Sequence, residues 1–363
     1  MTASAKPATA DVTVVGGGVI GLAAAYACVS AGLTVILVDD RRPGEASPAA
    51  AGMLAPTLES GGGPAHRFAL AARDRSPGYL SELEAAGGGR VSLNRDGILE
   101  LAAGEAEAAR LRTAVMPDAV WLEPADVAAL EPGCSAPFGA VLHAHDGAVD
   151  NVALIAALRR ILTALPGVTH VSASAVAVRV TDSDAQVRLA AGGALSAGHV
   201  VVAAGAWAAG LAGLPRAIPV EPVRGQMIGF AAASTRYVLY GSHSYAVPRP
   251  DGRTIVGSTM EHVGFDPGTT MGARDRIAAA AVELCPALAG VPVAEHWSGL
   301  RPMTADLLPI LGVDPLLPRL IYACGHSRNG ILMAALTGDC VAALVAGRAT
   351  GHDLAPFAIS RFG

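Results

Sequence analysis

From Val12 to Val38 the chain carries no charged residue, yet its apolar positions do not follow one period. A β-branched run, Val12 to Val15, is followed by the glycine-rich "GGGVIG" and then by an alanine-rich stretch, Leu22 to Ser30. Gly32 closes that stretch, and a second β-branched run covers Thr34 to Val38. This order predicts a strand, a glycine turn, a helix and a second buried strand, which together make a βαβ unit. The run is long enough for a membrane helix, which needs about 20 apolar residues. Gly16, Gly17, Gly18, Gly21 and Gly32 would interrupt such a span, however, and Asp39-Asp40-Arg41-Arg42 gives it mixed-charge flanks. An export signal fits no better, because "MTASAKPATAD" is barely basic and Tyr26 precedes Cys28.

Two later segments repeat the strand, glycine turn and helix order. "HVVVAAGAWAAGL" (199–211) reads as a buried strand entering a turn, and "RLIYACGHSRNGILMAAL" (319–336) as strand, turn and apolar helix. Residues about 79–147 mix short helical patterns such as "GEAEAARLRTAV" with turn-rich connections. Over 219–298, "VRGQMIGF", "RYVLY", "SYAVPR" and "TIVGSTM" alternate like an antiparallel meander, with Asp251-Gly252 marking a hairpin. "ESGGGPAHR" and "EAAGGGR" read as loops.

Length and charge narrow the classes. A chain of 363 residues can bury a large core in one domain or two interleaved ones. With 26 Lys and Arg against 31 Asp and Glu, it offers no basic footprint for nucleic acid or an anionic membrane, so small molecules are the expected partners. Five cysteines (28, 134, 285, 324 and 340) show no CxxC and no regular spacing, which points to reduced thiols and a cytoplasmic location.

The glycine turn carries the chemistry. Gly16 would permit the tight turn, Gly18 would let backbone approach a pyrophosphate, and Gly21 would let helix and strand pack closely. The helix N-terminus would offer free N–H groups to the phosphates. Asp39 falls 18 residues past Gly21, where a carboxylate accepts hydrogen bonds from a ribose and repels a 2′-phosphate, so NADP is disfavoured. No second fingerprint follows a strand, which implies one bound dinucleotide. Three strand-to-helix turns converging on one extended ligand suit FAD better than NAD.

"SPAAAGML" (47–54), "SYAVPRPDGRTIVGSTM" (244–260), "HWSGLRP" (296–302) and "CGHSRNGILMAALTG" (324–338) follow in order along nearly the whole chain. With these motifs the sequence resembles the glycine oxidase branch of the FAD-dependent D-amino-acid oxidase family. The implied fold class is α/β: a Rossmann-like FAD-binding domain (1–78, 148–218 and 299–363) interleaved with a smaller α+β substrate domain built on an antiparallel sheet (79–147 and 219–298). The resemblance implies noncovalent FAD contacted by Gly16, Gly18, Val19, Ile20, Gly21, Asp39, Asp40, Ala46 and Ser47. It adds Ala51, Gly52, Met53 and Val176, and the run His326, Arg328, Asn329, Gly330, Ile331 and Leu332. Relatives with cysteinyl flavin carry a Cys near 299–303, and this chain has none there. Tyr245, Arg301 and Arg328 are implied substrate contacts and catalytic residues.

The same positions have plainer readings. On local sequence alone, Arg301 between Leu300 and Pro302 is first a structural ion pair; the resemblance turns it toward a substrate carboxylate, which a guanidinium matches with two parallel hydrogen bonds. Tyr245 competes with simple core packing. "GHSRNG" nearly spells a nucleophile elbow, but Asn329 stands where the second Gly is needed, and only Asp339 and His352 follow as acid and base. Gly325 and Gly330 are read instead as allowing close approach to the flavin. In "LHAHDG" (142–147), His143 and His145 are expected on one face of a strand, with too few ligands for a metal. Met53, Met260 and Met303 read as core filler, although family alignment sets the first two beside flavin and substrate.

The implied function is oxidative deamination of glycine, sarcosine or a small D-amino acid by hydride transfer to FAD. The products are a 2-oxo acid such as glyoxylate, ammonia or an amine, and hydrogen peroxide from dioxygen. A dehydrogenase passing electrons to another acceptor and a non-catalytic nucleotide-binding protein stay open. Met303, where a small residue is common, and Ala335, where Pro is common, leave the pocket volume and the preferred substrate open. The resemblance also implies a homotetramer and imine supply for the thiazole of thiamine.

Overall fold

A computed structural model describes residues 9–58, 62–114, 118–181 and 184–363. At its centre is the βαβ unit: β1 (Thr9–Val15), α1 (Val19–Ser30) and β2 (Val35–Asp39). The strand β1 lies parallel to β2 on one side and to the strand Ala194–Val202 on the other. Val168–Ser172 extends the sheet beyond β2. Leu320–Cys324 continues it in parallel beyond Val200–Val202, followed by antiparallel Ile310–Val313. Val12 and Val14 are fully buried, as a strand covered on both faces requires. Fully burying one such side chain contributes about 1.5–3 kcal/mol, so this uncharged stretch is the fold's interior. Among the described residues no helix is long and apolar enough to cross a membrane.

The helix begins at Val19 rather than Leu22, so Val19, Ile20 and Gly21 belong to its first turn. The apolar helix Gly330–Val345 lies against α1, with Ala23 facing Gly338, where an added Cβ would stand 2.6 Å from the Ala23 carbonyl oxygen. The glycine-rich loop read at 59–67 is only partly described. Residues 59–61 lie outside the described part, and from Pro64 the chain is already helical, in a helix that continues to Leu83 through Pro77.

A second eight-stranded sheet brings distant segments together. Its order is 293–303, 221–230, 254–257, 245–248, 238–240, 98–101, 140–143 and 119–122. The four stretches of the expected meander supply the second to fifth strands, and the first, Val293–Met303, runs on past 298. The sheet is not purely antiparallel: Val238–Tyr240 pairs in parallel with Ile98–Leu101, because these neighbours come from separate stretches of chain. The strand Ala140–His143 stops before His145, which sits exposed in the following turn, so the two histidines do not share a face. His143 is buried between Glu100 (3.0 Å) and the Thr57 hydroxyl (2.7 Å). No group of three or more metal-ligating side chains occurs among the described residues.

All five cysteines are free thiols, and four of them are buried. Burial pushes the thiols of Cys28, Cys134, Cys324 and Cys340 up to about 12.

Candidate active site

A cavity of about 750 Å³ opens where the C-terminal ends of the parallel strands meet the second sheet. That volume lies in the upper part of the range for small-molecule sites, about 300–1,000 Å³. Of the residues expected at the cofactor, Gly16, Gly18, Val19, Ile20, Asp39, Asp40, Ala46, Ser47, Ala51, Gly52, Met53 and Val176 line it. So do His326, Arg328, Asn329, Gly330 and Ile331, together with Tyr245 and Arg301. Gly21 and Leu332 stand behind the wall.

The turn between β1 and α1 is built by close backbone approach. Gly16 has φ +111°, and Gly21 is so near that an added Cβ would lie 1.8 Å from the Gly16 carbonyl oxygen. Gly17 has a role that the sequence reading missed: the Asp39 carboxylate lies over it, 2.3 Å from where a Cβ would be. The helix starts on Gly18 with no side-chain cap, and the Val19 N–H donates to the Ser47 hydroxyl over 3.0 Å. Uncapped N–H groups at a helix start, a glycine floor and a ribose-binding acid form a donor and acceptor set that fits the diphosphate and ribose of a dinucleotide. Burial raises the Asp40 carboxyl, but hydrogen bonds from Ser174 and Arg42 outweigh it and hold the group below its ordinary value. Glu45, also on the wall, shifts the other way because burial and the nearby charge of Asp39 exceed the pull of Arg159. Arg42 stacks over Trp207, whose ring is stacked on Phe265 at 5.9 Å; all three line the cavity.

Another group of lining residues comes from the second sheet. Arg301, half-buried on the strand Val293–Met303, donates to the Thr259 carbonyl (3.0 Å) and the Ser258 hydroxyl (2.6 Å). Among the described residues no carboxylate lies within ion-pair distance of it, so the structural ion pair is not formed. Its guanidinium lies flat on Gly225, where an added Cβ would approach it to 2.2 Å. Among the described residues the Tyr245 hydroxyl has only the Met227 sulfur as acceptor, at 3.3 Å, and a thioether is a weak one. Met53, Met260 and Met303 all face the cavity, whereas Ala335 is buried in the helix Gly330–Val345 away from it. Gly17, Gly225 and Ser258 left no signal of their own beyond lying in or beside recognisable motifs.

The turn 325–330 does not assemble a hydrolase. Ser327 has φ +50°, but its hydroxyl donates to the Gly325 carbonyl at 3.4 Å, while His352 packs edge-on against Phe68. His326 is fully buried, bonded through Nε2 to the Thr337 hydroxyl at 3.1 Å, and burial pulls its pKa down to about 3. Because the folded value lies below the unfolded 6.5, the stability tied to a neutral ring is complete above about pH 6.5. It is lost as pH falls toward about 3. Thermal unfolding of His326→Gln should therefore show a shallower loss of Tm than wild type between pH 6.5 and 4. Parallel curves would refute this.

A family model described as FAD dependent oxidoreductase matches residues 11–344. The bifunctional protein ThiO/ThiG of Synechocystis is 34% identical over 98% of this chain, and the chain spans only 54% of that relative's length. The glycine oxidase of Geobacillus kaustophilus is 34% identical, with 97% of both chains covered. The crystal structure of glycine oxidase from the same organism superposes with a TM-score of 0.91 at 32% identity, covering 97% of this chain and 99% of that one.

Proposed function

From the premise that this chain belongs to the FAD dependent oxidoreductase family, we propose that it is an oxidase that deaminates glycine or a similarly small amino acid. The observation that carries this reading is the half-buried Arg301 guanidinium, which faces the same cavity as Tyr245 and, among the described residues, has no carboxylate to pair with. A substrate carboxylate would supply the missing charge through two parallel hydrogen bonds, and the Tyr245 hydroxyl would exchange its sulfur for an oxygen acceptor. Arg328, also on the wall, is assigned to the same substrate end.

When bound, FAD supplies the two-electron acceptor, and dioxygen regenerates it with release of hydrogen peroxide. The turn 16–21, Asp39, Asp40, Ala46 and Ser47 are the proposed holders of its nucleotide, and 51–53, Val176 and 326–332 of the remainder. The protein's own contribution is orientation. Fixing the carboxylate at Arg301 and Tyr245 holds a small amino acid by one end and presents its α-carbon and amine to the rest of the cavity. A substrate that reacts with a neutral amine needs no side-chain base, and His326 is already committed to Thr337. The proposal includes the division into a nucleotide part and a substrate part at the boundaries given above, except that the strand Val293–Met303 runs on past 298, so its residues 299–303 go with the second sheet. The free thiols support a reducing, cytoplasmic setting, and the likeness to glycine oxidases supports homotetrameric assembly and imine supply to thiazole synthesis.

Anaerobic addition of glycine, sarcosine and D-alanine to the yellow protein tests the reading. Bleaching of the flavin absorbance by at least one of them, with oxygen uptake once air is admitted, is expected. Bleaching without oxygen uptake would move the protein to a dehydrogenase; no bleaching by any amine would end the enzymatic reading.

A further inference from the structure

The cavity wall formed by residues 46–52 is held from behind by two side chains that do not line it. Asn151, the first residue of the helix Asn151–Ala164, is fully buried. Its Nδ2 donates to the carbonyls of Ser47 (2.8 Å) and Pro48 (3.2 Å), while its Oδ1 accepts from Arg249 Nη2 over 2.6 Å. Arg249 is itself only 8% exposed and donates through Nη1 to the Val149 carbonyl at 3.0 Å. The Ser47 hydroxyl in turn receives the Val19 N–H at the start of α1. A continuous line of hydrogen bonds thus runs from the second sheet, through Arg249 and Asn151, to the segment that meets the glycine turn.

The choice of side chains is informative. Among the described residues Arg249 has no carboxylate within 4 Å; Asp150 and Asp251 act on it from farther away, and Arg253 opposes them. A buried guanidinium would be better compensated by Asp than by Asn at 151. An aspartate cannot donate, however, and would leave the Ser47 and Pro48 carbonyls without partners and its own oxygens against them. Asparagine supplies two donors and an acceptor on one short side chain, which this position uses in full. The less favourable arrangement for Arg249 coincides with the one that fixes the wall.

We propose that Asn151 and Arg249 are positioning residues for the flavin: they lock segment 46–52 so that Ser47 holds the first turn of α1 in its cofactor-binding arrangement. This rests on the FAD reading and adds residues to it that touch neither cofactor nor substrate.

Asn151→Asp separates positioning from mere stability. It gives Arg249 a carboxylate while removing both donors to the wall. In the holoenzyme, its flavin should dissociate at least tenfold faster than wild type on dilution, and should be released on heating below the temperature at which circular dichroism reports unfolding. The unfolding midpoint should stay near wild type or rise, and turnover per bound flavin at saturating FAD should be unchanged. Arg249→Lys, which keeps the charge but not the two-pronged grip, should give an intermediate release rate and stands in should Asn151→Asp not fold. Wild-type release rates in both variants, or flavin loss only in step with unfolding, would overturn the inference. A wild-type protein that binds no FAD would instead sink the cofactor reading on which it rests.

Discussion

Arg301→Ala is expected to remain yellow and to lose amino-acid oxidation almost completely. Two hydrogen bonds to a charged group contribute roughly 1.5–3 kcal/mol each, so their loss corresponds to about 10²–10⁴ in kcat/KM. The flavin should stay because Arg301 belongs to the wall built by the second sheet, whereas the fingerprint turn lies on the other. Arg301→Lys should recover only part of the activity, since an ammonium is a point charge without the planar fork. Steady-state kinetics with glycine and sarcosine, beside the absorbance of bound flavin, check both. A variant that loses flavin yet oxidises glycine normally would invert the assignment.

Gly21→Ala should give a folded but colourless protein. The added methyl would lie 1.8 Å from the Gly16 carbonyl oxygen, and both partners are backbone, so no rotamer change relieves the contact. Either α1 moves away from β1 or the turn opens, and each displaces the N–H groups meant for the diphosphate. Overpacking of this kind costs about 1–3 kcal/mol in stability. A helix start displaced by about 1 Å, as relieving a 1.8 Å contact requires, should weaken FAD by at least about 100-fold, which corresponds to roughly 2.7 kcal/mol. Flavin content after purification and the Kd for added FAD measure the effect; stoichiometric FAD in the variant would remove the turn from the cofactor site.

The parts of the fold legible in the sequence are those encoded locally. The uncharged run resolves into a βαβ unit because β-branched residues, glycines and alanines change in order over a few residues, and stretches such as the helical "GEAEAARL" or the alternating "SYAVPR" announce their period in the same way. α1 starts three residues before its sequence pattern suggests because Val19 and Ile20 look like strand residues, while helix geometry there is set by the glycine turn and by Ser47, 28 positions away. What stayed hidden depends on pairing across distance. Nothing near Arg249 announces Asn151, nothing near Gly225 announces the guanidinium of Arg301, and the parallel contact of Val238–Tyr240 with Ile98–Leu101 joins segments that share no local signal. Arg301 shows both sides: its neighbours suggest an internal ion pair, and in the folded chain its partners among the described residues are the Thr259 carbonyl and the Ser258 hydroxyl.

The state of the sulfur atoms bears on survival in use. An oxidase of the proposed kind sheds hydrogen peroxide within reach of its own backbone, and the species that peroxide attacks is the thiolate. With Cys28, Cys134, Cys324 and Cys340 held near 12, almost none of these sulfurs is ionised at neutral pH, including Cys324 on the cavity wall itself. These four thiols are thereby poor targets for the oxidant that the proposed reaction would release, and the oxidisable sulfurs left facing it include the thioethers of Met53, Met260 and Met303.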